Sequence, residues 1–188
     1  KQCIANGHTV YATGRNASTL ATLKKLGAIA IEADLREPTA IAHVAQSLPR
    51  LDVVIFSAGI GTFQTAATIS YDDIDAMLDV NVRAPMHFVR ALVPNMSHGS
   101  QLIFVGSQAG KVPTPKASVY AATKFAIAGY VNGLRMELQK EGIIVSAIHP
   151  GPSDTPFIDH ADKSGRYKQA LGRFLLSPEV VADEVVKL

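Results

Sequence analysis

Short apolar runs rich in β-branched residues alternate with longer segments of helical period along the whole chain, and few architectures accept that order. The runs at 8–14 (HTVYATG), 28–33 (AIAIEA), 51–59 (LDVVIFSAG), 100–107 (SQLIFVGS) and 143–151 (IIVSAIHPG) read as strands. Between them, 17–26, 38–48, 70–93 and 116–142 carry helical spacing. Asn16 or Ser18 supplies a start signal, Pro38 suits a first turn, and Ser70 with Asp73 forms a Ser-x-x-Asp start. Gly7 and Gly142 supply stops, and Ser177-Pro178-Glu179 opens a last helix. The run LDVVIF has the pattern of a strand buried on both faces. This order predicts an α/β fold: a doubly wound parallel sheet with helices on both faces, forming a single domain over 1–188.

Composition narrows the classes further. With 47% hydrophobic and 18% charged residues the chain has ample material for one core. Its net charge of +2 is scattered, without the basic stripe that nucleic-acid binding needs. One cysteine, Cys3, excludes an internal disulfide and fits a reducing compartment, so a cytoplasmic location is expected. No apolar run reaches the length of a membrane span. The six histidines show no metal-ligand spacing, and no metal is expected. His149 reads as a neighbour of the binding edge rather than a base. The stretch from Pro152 to Ser177 loosens into polar, irregular sequence with a helical piece near 165–174, as a lid or substrate loop does.

Open parallel sheets bind ligands beyond the carboxyl ends of their strands. Ser57-Ala58-Gly59, Ser107 and Pro150-Gly151 fall there. Tyr120 and Lys124 lie one helical turn apart in SVYAATKFAIAGY, so both leave the same helix face. A free phenol has a pKa near 10, and a nearby ammonium favours the phenolate. Tyr120 beside Lys124 is therefore a candidate acid or base, with Ser107 placed to hold the same substrate oxygen. The alanines and glycines around the pair serve close helix packing equally well.

These motifs, in this order, resemble the short-chain dehydrogenase/reductase family over nearly the whole chain. A serine thirteen residues before a Tyr-x-x-x-Lys helix is matched by Ser107, Tyr120 and Lys124. The family's Asn-Ala-Gly turn is matched by Ser57-Ala58-Gly59, its catalytic asparagine by Asn81, its Pro-Gly turn and threonine by Pro150, Gly151 and Thr155, and its adenine-side acid by Asp34, next to Leu35. The resemblance implies a Rossmann-like fold and a reaction in which Tyr120 protonates a carbonyl oxygen while a nicotinamide delivers hydride. Ser107 would orient that oxygen. Lys124 would lower the tyrosine pKa and hold the ribose, and Asn81 would hold a water linking Lys124 to solvent. It also implies a homodimer or homotetramer paired through the two long helices.

Gly14 stands where an NAD-type aspartate would be, and Arg15 follows it; an arginine fork takes a phosphate bidentately. NADP(H) is therefore expected over NAD(H). The family's glycine-rich phosphate loop would precede Lys1, and both ends read as unfinished, so a first strand before the chain and a last strand after it are expected. The expected function is an NADP(H)-dependent oxidoreductase interconverting a carbonyl and a secondary alcohol on a small, rather apolar substrate. Phe157, Ile158, Tyr167 and Phe174 are candidate pocket residues. The alternative is a non-catalytic dinucleotide-sensing protein on the same fold.

Overall fold

A computed structural model describes residues 1–188. Five strands keep the predicted order, each shorter than the run that announced it: β1 (Tyr11–Gly14), β2 (Ile29–Glu32), β3 (Val53–Phe56), β4 (Gln101–Val105) and β5 (Ile144–Ile148). All paired neighbours run parallel, with Val54 opposite Leu102 and Ile103 opposite Ser146. Their hydrogen bonds make a β1–β2 pair and a separate β3–β4–β5 sheet rather than one continuous sheet.

Nine α-helices connect and flank these strands: α1 (Gln2–Ala5), α2 (Ala17–Lys25), α3 (Pro38–Ser47), α4 (Tyr71–Leu78), α5 (Ala84–Leu92), α6 (Ser118–Leu138), α7 (Pro156–Ala161), α8 (Arg166–Leu171) and α9 (Pro178–Val186). Their starts follow local chemistry. Asn16, rather than Ser18, caps α2 by accepting from Thr19 N at 2.9 Å. Ser70 accepts from Asp73 N at 3.1 Å and donates back to the Asp73 carboxylate at 2.7 Å. Ser177 caps α9 through Val180 N. Beyond α6, Gly142 turns the chain at φ +68°, and a side chain there would run into the His98 imidazole.

One face of the larger sheet carries the core. Leu102, Phe104 and Val145 pack under Ile127, Val131, Leu134 and Leu138 of α6. Beside them Ile41 and Val44 of α3 meet Ala84, Phe88 and Leu92 of α5. Central β4 is the strand buried on both faces, with Leu102, Ile103 and Phe104 each at most 3% exposed. The expectation of a doubly buried β3 does not hold. Val54 and Phe56 face the core, whereas Val53 and Ile55, on the opposite face, stay 47% and 40% exposed.

The long helix expected over 70–93 is interrupted. Between α4 and α5 the chain makes a π-helical turn, Asp79–Arg83, that contains Asn81. The expected irregular loop from Pro152 to Ser177 is an organised flap holding α7, α8 and a short 3₁₀ turn. Its base is pinched shut, with Asp154 N donating to Leu176 O at 2.8 Å and Leu176 N to Pro152 O at 2.9 Å. Lys168 braces it inside by pairing with Asp154 and Asp159.

Candidate active site

Ser107 ends the chain's exit from β4 and begins a 3₁₀ turn, Gln108–Gly110, where its Oγ accepts from Ala109 N at 3.1 Å. That turn rests directly on α6. A Cβ on Gly110 would sit 2.8 Å from the Lys124 carbonyl oxygen, so the absence of a side chain lets Ser107 and the Tyr120–Lys124 face approach each other. Gly110→Ala is expected to push the turn off α6, at about 1–3 kcal/mol in stability. Because displacements near 1 Å at a reacting centre can cost about 10²-fold, kcat should fall by one to two orders. Urea unfolding and steady-state kinetics on the one variant check both.

Tyr120 is buried, 8% exposed. Burial raises its phenol above 10, while the neighbouring Ser107 hydroxyl favours the ionised form and offsets part of the rise. The direction is opposite to the one expected from the sequence. Lys124 lies with Nζ 5.7 Å from the Tyr120 ring centroid and donates to Val105 O at 3.4 Å. Burial lowers its own pKa to about 8. Gly59 faces the same ammonium, its missing Cβ lying 3.5 Å from Lys124 Nζ and from Asn81 Oδ1. Ser57 and Ala58, beside it at the end of β3, are exposed.

Asn81 has partners other than the expected water. Its Oδ1 accepts from Ile60 N at 2.9 Å, and Nδ2 donates to Ile60 O at 2.8 Å and to Thr123 Oγ1 at 3.1 Å. Both amide hydrogens are used, so the side chain is a strut between the loop after β3 and α6. Thr123 completes the strut by donating to Tyr120 O at 2.7 Å. Sequence reasoning missed Thr123, although its place between Tyr120 and Lys124 was the available signal.

At the ends of β1 and β2, Arg15 is close enough to Asp34 to help hold its carboxyl low. The main cause is Arg36, whose Nη2 and Nε bond Asp34 Oδ2 at 2.5 and 3.0 Å, keeping the acid down to about 2. Arg36, which the sequence reading passed over, adds a second cation beside Arg15 and neutralises Asp34. Leu35 packs against the α3–α5 core. The Pro150–Gly151 turn is tied to the Ser107 end by Gln108 N donating to Pro150 O at 3.0 Å. Thr155 stands at the start of α7 without a side-chain cap bond. No group of three or more His, Cys, Asp or Glu side chains is arranged to hold a metal ion.

Phe63, Phe157 and Tyr167 crowd around Tyr120 or one another. Ile158 is buried in the flap, and Phe174 lies 72% exposed under Arg173, so neither has the pocket role expected of it. A cleft of about 240 Å³ adjoins Phe63 and Tyr167. Another of about 290 Å³, between Leu48 and Met96, lies toward the amino ends of β3 and β4, away from this chemistry.

A family model described as short chain dehydrogenase matches residues 1–164. The cyclic-di-GMP-binding biofilm dispersal mediator protein of Escherichia coli K12 is 32% identical over 80% of the chain. The NADP-dependent 3-hydroxy acid dehydrogenase of Salmonella typhi is 33% identical, also over 80%. The chain spans 64% and 66% of the lengths of these two relatives. A serine dehydrogenase solved in closed form with NADP+ superposes with a TM-score of 0.91 at 30% identity, covering 98% of the chain and 80% of the other protein.

Proposed function

The chain belongs to the short-chain dehydrogenase family, and from that premise we propose that the protein is an NADP(H)-dependent oxidoreductase interconverting a carbonyl compound and a secondary alcohol. The observation that carries this reading is the convergence of Ser107, Tyr120 and Lys124 beyond the carboxyl end of β4, held by the Gly110 contact and the Asn81–Thr123 strut. The site's residues fit a nicotinamide dinucleotide: Gly59 leaves Lys124 Nζ uncovered by a side chain, and Arg15 and Arg36 stand at the strand ends where the adenosine side falls. Ser57, Ala58, Pro150, Gly151 and Thr155 would border it. The bound cofactor supplies hydride to the carbonyl carbon. Tyr120 gives its phenolic proton to the carbonyl oxygen and is reprotonated from solvent, while Ser107 holds that oxygen by a hydrogen bond. Burial keeps Tyr120 protonated at neutral pH, which suits reduction.

NADP(H) is favoured by the paired arginines and by the cofactors named for the Salmonella relative and the serine dehydrogenase. Replacing Arg15 and Arg36 together by alanine is expected to raise KM for NADPH about 10–100-fold and leave KM for NADH within about twofold, since charge-assisted phosphate contacts are worth about 1.5–3 kcal/mol. Steady-state kinetics with both cofactors measures this. The Escherichia coli relative's name, which gives cyclic-di-GMP binding, favours a second reading, a non-catalytic dinucleotide-sensing protein on the same fold. NADPH consumption against a carbonyl panel separates them: oxidation that requires substrate supports the enzyme, and tight NADPH binding without turnover supports the sensor.

No helix is long and apolar enough to cross a membrane. The exposed side of α6 carries Phe125 and Met136, with open space over Gly129 and Gly133. That face suits close pairing with a second copy, as a homodimer or homotetramer, and a monomer mass in light scattering would exclude it.

A further inference from the structure

Resting on the oxidoreductase reading, we infer that the site selects carbonyl compounds bearing a flat ring, through an aromatic box of Phe63, Phe157 and Tyr167 built around Tyr120. Two regions far apart in sequence, the loop after β3 and the flap, build it. Phe63 comes from the loop after β3, Phe157 from α7 and Tyr167 from α8. The Phe63 ring centre lies 5.9 Å from that of Tyr120 and 5.0 Å from that of Tyr167, both edge-on. Phe157 lies 5.4 Å from Tyr120 and 6.4 Å from Phe63. These spacings are the ones at which aromatic rings attract one another beyond simple burial.

Gly61 makes the box possible. A Cβ there would sit 2.7 Å from Phe157 Cζ and 3.3 Å from Tyr120 Cδ2, so a side chain would push the Phe157 ring from its place beside the phenol. The flap and the loop are also joined, with Phe63 N donating to Ala161 O at 2.8 Å. Tyr120 is buried, but the three box rings are each half-buried, which leaves the box an open side. The neighbouring carboxylate does not add polarity to the slot. Asp162 is occupied by Ser164 N at 3.0 Å, Ser164 Oγ at 2.6 Å and Tyr167 N at 2.8 Å.

A substrate oxygen must reach the Tyr120 hydroxyl, so the group on its carbonyl carbon has to enter among these rings. A small polar group that parts Phe157 from Tyr120 leaves aromatic faces against water. A flat ring covers them again and restores ring-to-ring contact, so the preference is expressed as productive binding. The discrimination comes from apolar area and ring geometry; the exposed Lys116 and Arg166 line the cleft beside Phe63 and Tyr167 but are not among the rings.

The test compares 1-phenyl-1,2-propanedione with 2,3-butanedione, which differ only by phenyl for methyl, using NADPH and the intact protein. A kcat/KM ratio of about tenfold or more for the phenyl compound is expected, since hydrophobic pockets discriminate at that scale. In Phe157→Ala the ratio should collapse toward one, partly because the small diketone gains. Phe157→Leu, which keeps volume without the flat face, should give an intermediate ratio and guards against a folding artefact. In parallel, acetophenone binding to the NADP+-loaded protein is followed by ligand-observed NMR, which needs no turnover. Binding that weakens about tenfold in Phe157→Ala, without turnover of either diketone or of any compound in the carbonyl panel, supports the box while rejecting the oxidoreductase reading. Turnover of butanedione as fast as its phenyl analogue, or acetophenone binding indifferent to Phe157, overturns the box and leaves the oxidoreductase reading standing.

Discussion

Tyr120→Phe is expected to lower kcat for carbonyl reduction by about 10²–10⁴-fold, the range a positioned general acid supplies. The ring itself stays, so its contacts with Phe63 and Phe157 persist and KM should move little. Loss of the hydroxyl removes the bond to Ser107 that favours ionisation, a change of about 1 kcal/mol in stability. The pH dependence has a definite sign. Reduction needs the protonated phenol, so its rate should be flat through neutral pH and fall only as the raised phenol pKa is approached from below. Alcohol oxidation needs the phenolate and should rise over the same interval. Both limbs should vanish in the variant; stopped-flow cofactor fluorescence across pH measures them.

Lys124→Met should abolish most activity and yet stabilise the fold at neutral pH. Burial lowers the Lys124 pKa from 10.5 to about 8, so below pH 8 the folded protein carries an ammonium that the unfolded chain solvates better. The shift corresponds to a destabilisation on the order of 3 kcal/mol at pH 7. The sign follows from proton counts: between pH 8 and 10.5 the unfolded chain binds more protons, so wild-type stability rises through that window. The gain from Lys124→Met should therefore be full at pH 7 and shrink toward zero by about pH 10.5. Urea midpoints at these pH values decide it, and a gain that stays constant with pH would assign the effect to packing alone. A destabilising ammonium at this position fits the proposed site, where it would face the cofactor beside Tyr120.

The order of strands and helices was legible because it rests on short-range periodicity and caps: Asn16, Ser70 and Ser177 bond to groups three residues on. The nearness of Ser107, Tyr120 and Lys124 was legible for a related reason. Two members share one helix face, and the third ends a strand whose binding edge the topology fixes. What was hidden depends on distant partners. Asn81 becomes a strut through Thr123, 42 residues away, and nothing local in DVNVR announces that bond or the π turn. The direction of the Tyr120 shift depends on burial among residues from separate segments, and so does the aromatic box. Val53 and Ile55 read as buried because a run of apolar residues cannot show which side lacks cover.

The central claim is that one strand end and one helix bring two hydroxyls to a single substrate oxygen. A crystal structure of the protein with NADP+ and a secondary alcohol tests it most directly. The alcohol oxygen should lie within about 2.6–3.2 Å of both Ser107 Oγ and Tyr120 Oη. An ordered alcohol whose oxygen meets neither hydroxyl, or only Ser107 with Tyr120 turned away, would contradict the account.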